Sequence, residues 1–168
     1  MLYEITVPAF IKSLGNLQKI LDKAAAFADA KKIAPEVLLQ SRLAPDMFPL
    51  IRQIQIACDT TKLGAARLTG KEAPTHDDKE VTLADVKTRI DSVVSYLKTF
   101  KPEDFKGAEE RKITQPRWEG KWLTGTEYTL HHVLPNLYFH LTTAYAILRH
   151  NGVEIGKKDY LGDMPYKH

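Results

Sequence analysis

Residues 7–28, VPAFIKSLGNLQKILDKAAAFA, decide the fold class. Val7, Phe10, Leu14, Leu17, Leu21, Ala24 and Ala28 recur in steps of three and four, the spacing that lays apolar side chains along one stripe of an α-helix. Thr6 ahead of Pro8 predicts the helix start, because a proline in a first turn lacks only an N–H that would be unpaired anyway. Lys31 and Lys32 suit the negative end of the helix dipole, and Pro35 bars continuation.

The same spacing returns three times downstream. After a short helical turn around residues 36–41, Asp46 is a candidate N-cap for a second long helix with Pro49 in its first turn. Leu50, Ile54, Ala57, Thr61, Ala65 and Leu68 form its stripe, and Gly70 suits a left-handed stop. The polar run 71–80, KEAPTHDDKE, reads as a solvated loop, with Asp77, Asp78 and Glu80 facing water. Thr82 and Asp85 then read as a capping box, Val81 and Val86 as a hydrophobic staple. Leu83, Val86, Ile90, Val93, Leu97 and Phe100 supply the third stripe.

Residues 103–123 are the least helical, and Glu119-Gly120 predicts a small hairpin or irregular flap anchored by Trp118 and Trp122. The fourth helix begins near Thr126 or after Pro135 and runs to about His150, with Leu137, Leu141, Ala144 and Leu148 inward. The tail from Val153 has no helical period. Four amphipathic segments with modest connections predict an all-α four-helix bundle, with a small hairpin or flap before the last helix, as one domain over residues 1–168.

Composition narrows the function classes. With 168 residues, 43% of them hydrophobic, the chain can bury a core without staples. The net charge is +3, but lysines and arginines are interspersed with acids, which argues against a nucleic-acid partner. Cys58 is the only cysteine, so neither an internal disulfide nor a cysteine-built zinc site is available, and its apolar surroundings make it a small buried hydrophobe. No apolar run is long enough to span a bilayer, so no membrane partner is expected. Met1-Leu2-Tyr3-Glu4 does not open a secretory signal, which leaves the cytoplasm as the expected compartment. Nucleotide-binding loops, a nucleophile elbow and H-E-x-x-H are all lacking.

Two strings, LPNLYFHLTTAYAILRHNGVEIGKKDYLG (134–162) and RLAPDMFPLIRQIQIACD (42–59), resemble a bacterial domain-of-unknown-function family. That family is grouped with the DinB/YfiT-like four-helix-bundle metalloenzymes. The resemblance implies a divalent metal held by three histidines, one from the second long helix and two from the fourth in H-x-x-x-H spacing. For some relatives it implies transferase or isomerase chemistry that uses low-molecular-weight thiols. This chain departs from the pattern: His140 stands at one position, Asn136 four residues earlier, and Gln53, Gln55 and Asp59 fill the stretch where the other histidine belongs. Amides are poor ligands for zinc or nickel. No cofactor of high affinity is therefore expected, His140 being a degenerate metal ligand at most and a weakly bound divalent metal the remaining option.

What is left is a polar constellation of Gln55, Asp59, Asn136 and His140, whose i, i+4 pairs each share a helix face. His132 joins the stripe if the last helix extends back through Pro135. The set reads as a buried register-fixing network, as a small-molecule pocket, or as an altered metal site. His76, His131, His150 and His168 read as solvated or capping, and Arg42 with Asp46 as a structural ion pair. The function expected is a bundle protein that binds a small molecule or a partner, with a homodimer formed through helix faces. The alternative is a metal-assisted, thiol-dependent transferase or isomerase.

Overall fold

The computed structural model describes residues 1–167. Four long helices carry it: α1 (Leu2–Lys31), α3 (Leu50–Thr69), α4 (Leu83–Leu97) and α6 (Leu134–His150). Three short ones accompany them: α2 (Pro35–Leu39), α5 (Gly125–Tyr128) and α7 (Lys157–Leu161). The expected stripes meet in one core, where Phe10, Leu14, Leu21, Ile54, Ile90 and Leu137 are fully buried. The seam between α3 and α6 is the most extensive, and α1 and α4 complete the bundle. Cys58 is fully buried, and desolvation pushes its thiol up to about 12, which keeps it protonated and inert. Among the described residues, no helix is long and apolar enough to cross a membrane.

The helix starts differ from expectation where proline sets them. α1 begins at Leu2, a turn before Thr6, and takes Pro8 into its interior. Pro8 cannot donate to the Glu4 carbonyl, but both residues are exposed, so water can serve that oxygen. The buried Thr6 hydroxyl donates to the Leu2 carbonyl at 2.6 Å. α3 begins only at Leu50, with Pro49 as its extended N-cap residue and no side-chain cap. A residue before proline is biased out of the α region, and here Phe48 and Pro49 both stay outside the helix, so Asp46 is not its cap. Nor does Asp46 pair with Arg42, whose guanidinium donates to the Met47 carbonyl instead.

The capping box of α4 is present: Asp85 N–H donates to Thr82 Oγ1 at 3.1 Å, and Thr82 N–H to Asp85 Oδ2 at 2.8 Å. Val86 is buried but Val81 stays 66% exposed, so the staple contributes little. Thr82→Ala is expected to lower the unfolding free energy by about 1 kcal/mol. Urea denaturation measures this, and an unchanged midpoint would mean the cap is idle.

Residues 102–123 form a flap rather than a hairpin. Two 3₁₀ turns, Pro102–Phe105 and Pro116–Trp118, flank a single antiparallel bridge between Ile113 and Leu123. Trp118 packs edge-on against Tyr128, whereas Trp122 remains half exposed under Lys112. Both expected starts of the last helix are real and joined. Thr124 and Glu127 form a capping box that opens α5. A π turn, Thr129–Val133, then lets Leu134 N–H reach the Thr129 carbonyl, re-registering the helix just ahead of Pro135. The tail contains α7, too short to reveal a period in sequence; it is tied to α1 by Asn16 on the Tyr160 carbonyl and Lys23 on Asp159.

Candidate functional site

α3 runs antiparallel to the continuous helical run from α5 through α6, as three cross-links down the seam establish. Arg67 donates to Tyr128 Oη at 2.9 Å, Asn136 Nδ2 to Thr60 Oγ1 at 2.7 Å, and His140 Nδ1 meets Gln53 Oε1 at 2.7 Å. Beside this seam lies a cleft of about 550 Å³, walled by both helices and roofed at one end by the flap through Gln115 and Arg117. That volume suits a small molecule.

His140 sits near one end, and its tautomer follows from its partner. Gln53 Nε2 donates to the Phe48 carbonyl at 3.0 Å, which leaves Gln53 Oε1 to accept from His140 Nδ1–H. In the neutral ring it is then Nε2 that carries the lone pair. Burial first, then the Arg52 guanidinium, pushes the His140 pKa down to about 4. Because the folded value lies below the unfolded one of about 6.5, the unfolded chain takes the proton first. Stability supplied by neutral His140 is therefore complete above about pH 6.5 and is lost as pH falls toward about 4, by up to about 3 kcal/mol. Denaturation at pH 7 and pH 4.5 should show this loss, and His140→Phe should shrink it. An equal acid loss in wild type and variant would refute the assignment.

The flap end is different in charge. His132 Nε2 accepts from Gln115 Nε2 and Arg117 Nη2, both at 3.3 Å, and the ring stacks on Tyr128. Burial, then Arg117 and Arg67, hold its pKa below the ordinary histidine value. Among the described residues neither Arg67 nor Arg117 has a carboxylate partner: Arg67 meets a phenol, Arg117 an imidazole. Elsewhere the charges balance. Arg52 pairs with Asp78, and Asp59 is held by Arg89 and Lys62, each at 2.9 Å.

The expected constellation is therefore divided. Asn136 and His140 line the cleft, and so does Asp59, though its carboxylate is engaged on the far side. Gln55 does not line it; its Nε2 donates to Glu80 at 2.8 Å. Gln55 and Asp59 do share a face, as their spacing requires, but that face meets α4 and the 71–80 loop rather than α6. The residue opposite His140 is Gln53. The loop itself is not a solvated charge run. Asp78 and Glu80 fold back onto Arg89, whose side chain is 1% exposed. His76 accepts from buried Lys62 at 2.9 Å and meets Ser92 at 3.2 Å, so it too is a tether rather than a solvated loop residue. His131 and His150 are exposed, and His168 lies outside the described residues.

Arg52, Ile56, Thr60, Leu63 and Arg67 repeat in steps of three and four along α3, a periodicity that could have marked the wall. Gln115 and Arg117 carry no such signal, since the flap brings them in from outside any helix. Among the described residues, no three His, Cys, Asp or Glu side chains gather in a way that could hold a metal ion.

A family described as a domain of unknown function, DUF1993, matches residues 2–161. The crystal structure of a DinB family member protein from Shewanella denitrificans is similar to this chain at 62% identity with a TM-score of 0.97, over 100% of this chain and 96% of that one. No curated protein matches.

Proposed function

The chain belongs to the DUF1993 family of DinB-like helical bundles, and we propose that it binds a small anionic molecule in the cleft between α3 and α6. One observation carries this reading: Arg67 and Arg117 converge on the flap end of a molecule-sized cleft with no carboxylate to neutralise them. A guanidinium presents several donors in a planar fork suited to carboxylate or phosphate. Tyr128 and His132 each use one acceptor on them, which leaves further N–H groups for a ligand.

Titration calorimetry with inorganic phosphate and with short carboxylates tests the proposal. Arg117→Ala is expected to weaken the best of these by at least about tenfold, since a charge-assisted hydrogen bond contributes roughly 1.5–3 kcal/mol. Because Arg117 is exposed, its loss should leave the fold intact. Affinity that is equal in wild type and Arg117→Ala, or no binding at all, sinks the idea.

A metal has no place in this reading. Asn136 offers only a neutral amide oxygen and Gln53 spends its amide on Phe48 and His140, so His140 is the one imidazole at that end of the cleft, beside Arg52. That donor set does not fit a zinc or nickel site.

A further inference from the structure

The cleft is not uniform along its length, and its asymmetry says what shape of acid would fit. At the flap end, two guanidiniums are uncompensated. Toward the other end, Arg52 is matched by Asp78, and the acceptor offered is neutral His140 Nε2. Between them lie Ile56 and Leu63, with Thr60 and Asn136 already bonded to each other. From Gln53 to Arg67 the α3 axis rises roughly 20 Å, so no compact ion can touch both ends.

We infer that the ligand is an elongated molecule with an anionic head held by Arg67 and Arg117 and an uncharged O–H or N–H donor on its tail, received by His140 Nε2. This rests on the anion reading above and deepens it. The Phe48–Gln53–His140 chain of hydrogen bonds is what makes the tail end selective. With Nδ1–H committed to Gln53, the imidazole meets the ligand only with a lone pair. A second carboxylate there would face that lone pair and find no donor on the ring. A hydroxyl or amide N–H would be satisfied. Gln53 is accordingly a positioning residue, 2% exposed and out of the ligand's reach.

The test uses the full chain and three series of equal, graded length: straight-chain alkanoates, ω-hydroxycarboxylates and dicarboxylates. At the best length, the hydroxy acid is expected to bind about fivefold more tightly than the alkanoate, as one added neutral hydrogen bond allows. The dicarboxylate should bind no better than the alkanoate. His140→Asn keeps a side-chain N–H for Gln53 but withdraws the ring Nε2, so the gap between hydroxy acid and alkanoate should close. If alkanoates bind through Arg117 but the hydroxyl adds nothing at any length, the tail assignment is wrong and the anion reading stands. A hydroxyl advantage that persists in His140→Asn also overturns it. If alkanoates bind wild type and Arg117→Ala alike, the anion reading itself has failed.

Discussion

Arg89→Met is expected to lower the unfolding free energy by about 3 kcal/mol, the lower end of what breaking a buried ion pair costs. Arg89 reaches up from α4 to bond both α3 and the 71–80 loop. Nη1 donates to Asp78 at 2.5 Å and to Glu80 at 2.9 Å, and Nη2 donates to Asp59 at 2.9 Å. Only Nε has no partner among the described residues. Removing the guanidinium leaves Glu80 without a cation, whereas Asp59 keeps Lys62 and Asp78 keeps Arg52, and both of these carboxylates are about one-third exposed, which limits the loss. Arg89→Lys should recover little of it, because an ammonium cannot span three acceptors with a planar fork. The acid limb offers a second readout. Burial alone would raise the Asp78 and Glu80 carboxyls, yet hydrogen bonds to Arg89 and their other partners hold both below their ordinary ranges. Their stabilisation is present above about pH 4 and is lost as pH falls through the folded values. Chemical denaturation between pH 2.5 and 7 should show that acid loss in wild type and a flatter profile in Arg89→Met. A variant within about 1 kcal/mol of wild type would mean the loop is held by something other than Arg89.

That clasp marks where sequence reasoning stops. The α1 stripe and the Thr82–Asp85 box were legible because each is local: a period of 3.6 residues, or a reciprocal bond across three. Asp78 and Glu80 read as solvated because their partner lies nine to eleven residues away, on the next helix, with nothing in the intervening sequence to announce the return. The placement of the polar constellation was legible only in part, for the same kind of reason. Spacing correctly placed Gln55 with Asp59 and Asn136 with His140 on shared faces. Which neighbour each face meets is set by how the helices are rotated in the bundle, and no i, i+4 rule contains that rotation. Gln53 faces α6, whereas Gln55, two residues on and about 200° around the axis, faces the clasp. Arg52 belongs to both places. It lines the cleft, donates to Gln55 at 3.2 Å and pairs with Asp78, so the loop that closes the clasp also neutralises one end of the cleft.

The flap end of the cleft depends on a different close approach, and the second large effect is expected there. A Cβ added at Gly125 would lie 1.8 Å from the Ala108 carbonyl oxygen and 2.9 Å from its carbon. The obstacle is backbone, not a side chain that can swing away, so either the flap or the first turn of α5 must move. Thr126 N–H donating to the Glu109 carbonyl at 3.0 Å, next to the clash, resists that separation. Gly125→Ala is therefore expected to cost about 3 kcal/mol or more, beyond ordinary overpacking. Because the same flap carries Gln115, Arg117 and Trp118, the damage should extend to the cleft. Weaker anion binding and a red-shifted tryptophan emission should accompany the lower melting temperature, as Trp118 leaves Tyr128 and His132. Gly15 is the matched control. It lies inside α1 with nothing within 4 Å of an added Cβ, so Gly15→Ala should raise stability by about 0.5–1 kcal/mol through helix propensity alone. One chemical change thus carries opposite signs at two glycines, decided by whether a carbonyl stands where the methyl must go. Equal melting temperatures for the two variants would show that the flap is not pinned against α5, and with it would go the account of how Arg117 is held over the cleft.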